Sequence, residues 1–294
     1  ILIGLALAVC AAGIWAYAAF RRDISASRAR LVGISKIVAT KSGPIEYAEA
    51  RSGPIVLVVH GAGGGFDQGL ELAEPLVRHG FRVIAMSRFG YLRTPMPADA
   101  SVAAQSDAHA NLLDALTIEK AAIFGISAGG PSALQFAISH PEKCTALVMM
   151  VPLAYKPPET AASAPRLSPF TEKMLMTIVG SDFAFWLGTK LTPNLVAKTV
   201  LGTPPGIIAV ANSDERLRVS QFTSHILPIS RRVQGIIADS AISASLTRLN
   251  LESVRVPSLL ISARDDLYGT FASTQYTANE IPGAKFIGYD SGGH

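Results

Sequence analysis

Cysteine is nearly absent: Cys10 and Cys144 are the only two in 294 residues, one inside an apolar run and one at the start of another. So few and so far apart, they provide neither a disulfide framework nor a zinc site, and both read as small hydrophobes. Charge is scarce too, at 16% of residues against roughly 25% in an average soluble domain. Basic residues cluster in one early segment only, with no aromatics interleaved, which excludes a nucleic-acid groove. No G-K-[ST] occurs. The glycine-rich stretch "HGAGGGFDQG" (His60 to Gly69) fails as a dinucleotide fingerprint, since a G-x-G-x-x-G counted from Gly61 and Gly63 would need glycine where Phe66 stands. No histidine pair has metal-ligand spacing. Neither a metal nor a cofactor is therefore expected, and repeats and low-complexity tracts are missing as well.

The clearest positive feature is the opening, "ILIGLALAVCAAGIWAYAAF" (Ile1 to Phe20), which carries no charge. As a helix, 20 residues span about 30 Å, the thickness of a bilayer core, and Trp15, Tyr17 and Phe20 gather at one end like interface aromatics. Arg21, Arg22, Arg28, Arg30, Lys36 and Lys41 follow against Asp23 alone, while the whole chain is only +4. Such a patch favours anionic head groups. Residues 1–20 are accordingly expected to be a single-pass membrane anchor, and 21–30 a basic juxtamembrane linker. Positive-inside bias favours the cytoplasmic face for the main domain. The competing reading is a signal peptide, with "AYA" (Ala16 to Ala18) as a small-x-small cleavage site. Because the chain opens on Ile1 and closes on His294, sequence beyond both ends is expected.

Further on, "LVGISKIVAT" (Leu31 to Thr40) and "PIEYAEA" (Pro44 to Ala50) read as an antiparallel pair. "PIVLVVH" (Pro54 to His60), "FRVIAMS" (Phe81 to Ser87), "AAIFGI" (Ala121 to Ile126) and "TALVMMV" (Thr145 to Val151) are nearly all apolar, as strands buried on both faces are. Helical spacing separates them at 67–79, 101–118 and 128–139. This alternation predicts an α/β fold with a mostly parallel, doubly wound sheet. It breaks from 152 to 255, where Ser168-Pro169 and Thr192-Pro193 mark helix starts; that segment reads as a helical insertion capping the sheet's carboxyl edge. Alternation resumes with "SLLISA" (Ser258 to Ala263), a helix near 271–280 and "KFIGYD" (Lys285 to Asp290).

Within this frame, Gly125-Ile126-Ser127-Ala128-Gly129 sits where a strand meets a helix. A nucleophile raised above a sheet edge needs a sharp turn at which side chains two residues before and after would collide, so glycine is required at both places. Pro131 suits the following helix's first turn, and the helix amides favour negative charge beside Ser127.

With this motif the chain resembles the α/β-hydrolase fold superfamily, in the variety carrying a helical cap between the sixth and seventh strands. The resemblance runs from about Leu31 to the end and implies a core of 31–151 and 256–294 with a cap of 152–255. It implies an oxyanion hole from the amide of Ala128 and one from the loop opened by His60-Gly61, where Ala62 is the expected donor and Gly63 its neighbouring alternative. It places the catalytic histidine after the last strand, at His294. His60, His79, His109 and His140 then read as structural, and His225 at most as a substrate contact. It places the acid just after the seventh strand, at Asp266, with Asp265 the alternative. "SRFGYLRTP" (Ser87 to Pro95) matches a family loop only loosely, with Ser87 in place of an acid; it reads as scaffolding, with Tyr91 and Arg93 as candidate pocket residues.

The expected function is a membrane-anchored serine hydrolase cleaving carboxylic esters of apolar, small-molecule substrates. Phe170, Met174, Leu175, Phe183, Phe185 and Trp186 are candidates for the apolar pocket, with helix packing onto the domain as their other reading. Hydrolysis of a carbon–carbon bond on the same triad is one alternative. A ligand-binding protein that kept the fold without turnover is another.

Overall fold

The computed structural model describes residues 2–157 and 180–294. A long helix α1 (Leu2–Arg30) leads into β1 (Lys36–Thr40), β2 (Gly43–Ala50) and β3 (Ile55–Val59). The first strand is shorter than expected because the helix continues to Arg30 and the chain then turns through Gly33, at φ 78°. Next come α2 (Phe66–Leu72), α3 (Glu74–Arg78) and β4 (Arg82–Met86). The one helix expected over 67–79 is thus two, since Pro75 has no N–H to return to the preceding turn. α4 (Val102–Ala115), β5 (Ala121–Ile126), α5 (Gly130–Ser139) and β6 (Cys144–Met150) complete the first half. Ser101 caps α4 by accepting the Ala104 N–H at 3.1 Å, a contact of the kind that contributes about 1 kcal/mol.

Between β6 and β7 the described residues form α6 (Asp182–Leu191), α7 (Pro193–Thr199), α8 (Pro205–Val210), α9 (Ser213–His225) and α10 (Val233–Ser245). Thr192-Pro193 does open a helix; Ser168-Pro169 lies outside the described residues. The chain closes with β7 (Ser258–Ala263), α11 (Thr270–Glu280) and β8 (Lys285–Tyr289).

The eight strands form one sheet in the order β1-β2-β4-β3-β5-β6-β7-β8. β1 and β2 are antiparallel to each other, β2 is antiparallel to β4, and every later pairing is parallel. Alternate side chains leave opposite faces of a strand, and both faces are covered. Leu57, Val59, Ile123, Leu147 and Met149 pack under α4, α5 and α11, while Val56, Val58, Phe124 and Ile126 pack on the opposite side, toward α2 and α3. The strand order reverses at β3, whose neighbours are β4 and β5. Ligands in such sheets lie beyond the carboxyl ends of the strands at this reversal.

The expected membrane span is overturned. Among the described residues no helix is long and apolar enough to cross a membrane. The apolar stretch is the front of a 29-residue helix whose later turns carry the charges. Ala16, Ala19, Phe20 and Ile24 form one stripe packed against Phe185, Trp186, Ile226, Leu227 and Ile229. Phe20 stands edge-on to Phe183 and Trp186 at ring distances of 5.2 and 5.7 Å, and the Trp186 indole donates to Asp23 Oδ2 at 3.0 Å. The basic patch is also engaged within the chain. Arg30 pairs with Asp67 at 2.8 Å, Arg28 with Asp182 at 3.5 Å, Lys36 with Glu49 at 3.3 Å and Arg22 with Asp23 at 3.0 Å. The single-pass placement, its cytoplasmic orientation and the membrane as partner fall with the span, and residues 21–30 continue α1 rather than forming a linker.

Candidate active site

Ser127 begins the turn between β5 and α5, with φ at 49°. That left-handed region costs a non-glycine residue roughly 1–2 kcal/mol, so the surroundings must hold it there. They do so by close approach. A Cβ at Gly125 would stand 2.6 Å from Ala133 Cβ, and one at Gly129 would stand 2.6 Å from His60 O and closer still to Val59 O. Leu153 N–H donates to Ser127 O at 2.8 Å. The paired glycines therefore let β5, α5 and the end of β3 crowd together beneath the serine.

Three distant segments meet above it. His294 Nε2 lies 2.8 Å from Ser127 Oγ, and His294 Nδ1 lies 2.9 Å from Asp266 Oδ2. Asp266 follows β7 and is buried. Its Oδ1 accepts Tyr268 N–H at 2.8 Å, and its Oδ2 also accepts the Thr270 hydroxyl. Burial raises this carboxyl, but the hydrogen bond and charge of His294, with the Thr270 and Tyr268 donors, outweigh it and hold Asp266 below its usual range. Asp265 does separate work: its carboxylate accepts the N–H groups of Gly292 and Gly293 at 3.0 and 2.8 Å, fastening the loop that carries His294.

Two residues that sequence reasoning missed also hold the histidine. Tyr268 presents its ring edge-on at 4.8 Å, and its hydroxyl shares its proton between two carbonyls at the end of α7, Val200 O (2.9 Å) and Thr199 O (3.0 Å). Thr203 Oγ1 accepts His294 N–H at 3.2 Å. Tyr268 stood two places from the expected acid, and that proximity was its one available signal. Thr203, in the helical insertion, gave none.

The loop after β3 leans over the serine: a Cβ on Gly61 would lie 2.9 Å from Ser127 Cβ. Gly64 N–H is taken by Gly61 O at 3.2 Å, and Gly63 N–H by Tyr91 Oη at 3.4 Å. Ala62 is exposed, and its N–H has no acceptor among the described residues. Beneath it, His60 is fully buried; Nδ1 donates to Gly61 O at 2.7 Å and Nε2 accepts Arg88 N–H at 3.0 Å. Burial, then the Arg88 charge, pushes this imidazole well below its ordinary range, so it stays neutral.

Two ion pairs flank the loop. Arg88 makes a two-pronged bond to Asp239 of α10 at 2.7 and 2.6 Å and donates from Nε to His60 O at 2.9 Å; Tyr91 Oη donates to the same carboxylate. Fully buried Arg232 bonds Asp67 at 3.1 and 2.8 Å and also reaches Gly64 O. Burial would raise Asp67, but Arg232 and Arg30 bring it down to about 2. Tyr91 and Arg93 are not pocket residues: Tyr91 is buried in this network, and Arg93 bonds Glu46 at 2.6 Å. Ser87, where an acid was looked for, donates to the Glu46 carboxylate at 2.9 Å, so β2 brings the negative charge to that corner.

Ser127 and His294 open into a cavity of about 520 Å³ whose walls include Leu72, Ile126, Leu201, Ile207, Phe222 and Ile226. Glu215 and Arg218 of α9 also line it, joined to each other at 2.5 Å. Phe185 and Trp186 lie elsewhere, packed on α1. Phe183 joins them, and Phe170, Met174 and Leu175 fall outside the described residues. Among the described residues no group of three or more His, Cys, Asp or Glu is gathered to hold a metal ion.

A family model described as "alpha/beta hydrolase fold" matches residues 54–294. The chain is 26% identical over 263 residues to an uncharacterized hydrolase, YcgS, of Bacillus subtilis, covering 86% of this chain and 88% of that protein. Over 113 residues it is 35% identical to a 2-hydroxy-6-oxo-6-phenylhexa-2,4-dienoate hydrolase of Comamonas testosteroni, a match spanning 37% of this chain and 40% of that enzyme. Among solved structures, an alpha/beta hydrolase fold protein from Nakamurella multipartita superposes with a TM-score of 0.71 at 25% identity, covering 88% of this chain and 91% of the other.

Proposed function

The chain belongs to the α/β-hydrolase fold family and is a hydrolase, and we propose that it is a serine hydrolase cleaving carboxylic esters of apolar small molecules through an acyl-enzyme. One observation carries this reading: the unbroken relay from Ser127 Oγ through His294 to Asp266, at 2.8 and 2.9 Å, on a left-handed elbow. In this reading residues 31–151 and 256–294 are the catalytic core, and 152–255 the cap.

Asp266 accepts a hydrogen bond from the Nδ1–H of His294, leaving Nε2 a lone pair aimed at the serine hydroxyl. As Ser127 Oγ bonds to the substrate carbonyl carbon, Nε2 takes its proton, and the carbonyl oxygen becomes an oxyanion held by the amides of Ala62 and Ala128. Donors aimed at that developing charge contribute several kcal/mol to the transition state. The tetrahedral centre then collapses; the carbon–oxygen bond to the alcohol breaks, and the imidazolium protonates the departing oxygen. Water, deprotonated by the same imidazole, releases the acid and restores Ser127. The apolar cavity walls support an uncharged acyl or alkoxy group.

Carbon–carbon bond hydrolysis is the second reading. The name of the Comamonas relative favours it. Fluorophosphonate labelling, with turnover of p-nitrophenyl esters of graded chain length and of a dienoic keto acid, tests both. A folded protein that is unlabelled at Ser127, or a Ser127→Ala variant as active as the parent, would remove the serine mechanism. Turnover of the keto acid alone would select the second reading.

A further inference from the structure

Resting on the serine-hydrolase reading, we propose that Asp239 and Arg232, contributed by the helices over the sheet, are positioning residues that hold the oxyanion loop in its working shape. The buried ion pairs are exchanged between the two layers. Arg88, following β4, reaches up to Asp239 on α10, while Arg232, just before α10, reaches down to Asp67 on α2. All four side chains are buried. Such pairs are a weak source of net stability, because desolvation offsets most of the attraction; what their two-pronged form adds here is directional restraint.

What they fix is the run from His60 to Gly64. Arg88 Nε holds His60 O at 2.9 Å, Tyr91 Oη, itself tied to Asp239, holds Gly63 N–H at 3.4 Å, and Arg232 Nη1 holds Gly64 O at 2.5 Å. His60 O, Gly63 N–H and Gly64 O are thereby anchored through contacts ending at 232 or 239, Gly61 O is held within the loop by His60 Nδ1 and Gly64 N–H, and the Ala62 amide is left to face the reacting carbonyl. Movement of α10 away from the sheet would release these anchors together. The helices over the sheet then act as part of the hole as well as a cover.

The test uses the full chain with three variants: Tyr91→Phe, which deletes one hydroxyl; Asp239→Asn, which keeps the shape; and Arg232→Lys, which keeps the charge. Fluorophosphonate titration counts active sites, so that kcat is expressed per competent molecule. On a p-nitrophenyl acetate too short to reach α9 or α10, kcat per titrated site should fall about tenfold or more, with KM within about twofold, as for a displaced oxyanion donor. Affinity for a trifluoromethyl ketone, whose adduct carries the oxyanion, should fall in step, while the pH midpoint of kcat/KM stays put. A purely structural role would lower the titrated fraction and leave kcat per site and ketone affinity unchanged; that result, in Tyr91→Phe and Arg232→Lys, overturns the proposal. So would a rise in KM with kcat intact. A parent chain that neither labels nor turns over esters would instead sink the underlying serine-hydrolase reading.

Discussion

Replacing Asp266 with asparagine is the sharpest probe of the proposed relay, because the structure fixes which way the new amide must face. Tyr268 N–H is an obligate donor 2.8 Å from Oδ1, so the amide oxygen has to take that position. The NH2 then occupies the place of Oδ2, which now accepts both from His294 Nδ1 and from the Thr270 hydroxyl. Thr270 adapts readily, since its hydroxyl can turn its proton to Ser262 Oγ, 2.9 Å away. The imidazole adapts only by moving its proton from Nδ1 to Nε2, presenting an N–H to Ser127 Oγ where a lone pair is needed. Geometry is kept and basicity at the right atom is lost. Loss of the correct tautomer in such a triad costs about 10,000-fold in kcat, or about 5 kcal/mol at the transition state. Initial rates on the best ester, normalised to folded protein and compared with thermal midpoints, measure this. Asp265→Asn is the internal contrast: an amide oxygen can still accept Gly292 and Gly293 N–H, so its loss should stay below about tenfold. A well-folded Asp266→Asn within tenfold of the parent, or equal losses in both variants, would refute the assignment.

Acid stability follows from two imidazoles. His60 is pushed well below its ordinary range and His109 down to about 3, in both cases chiefly by burial. Both stay neutral when folded while the unfolded chain binds protons below about pH 6.5, so stability is whole above that pH and falls below it, by up to about 1.4 kcal/mol per pH unit for each group. Urea titrations at pH 7.5, 6 and 5 check the slope, and His109→Gln should reduce it; equal stability at pH 7.5 and 5 would contradict the burial. Gly129→Ala should cost about 2–3 kcal/mol by overpacking, because its methyl meets His60 O at 2.6 Å. Gly206→Ala, with nothing within 4 Å in α8, should be neutral or stabilising by up to about 1 kcal/mol. Trp186→Phe removes the indole bond to Asp23 and should lower stability by about 1 kcal/mol while speeding tryptic cleavage at Arg21 and Arg22; unchanged cleavage would argue against firm docking of α1.

The parallel strands were legible because fully covered strands are apolar throughout, and the Gly-Ile-Ser-Ala-Gly elbow because its steric demand is local. Ser127, Asp266 and His294 were each marked by position after a strand, so resemblance found residues that the fold then brings into contact. The first helix misled for a reason of scale. Twenty uncharged residues score the same whether their neighbours are lipid or protein, and what distinguishes them here is the stripe of Ala16, Ala19, Phe20 and Ile24 meeting α6. Near its end the partners of its cations are remote: Arg30 meets Asp67 and Arg28 meets Asp182. Arg88 and Asp239, 151 positions apart, likewise carry no local signature, whereas hydrogen bonds within one turn do.

The crossed arginine–aspartate pairs also restrict how this enzyme could be re-engineered. Grafting a foreign segment over residues 180–255 would strip Arg88 of its carboxylate and leave Asp67 with Arg30 alone unless the donor supplied an acid in register with 239 and a guanidinium in register with 232. Chimeras chosen to match those two positions should outperform those chosen on overall sequence likeness, since a stranded interior charge weighs more than many well-matched surface residues.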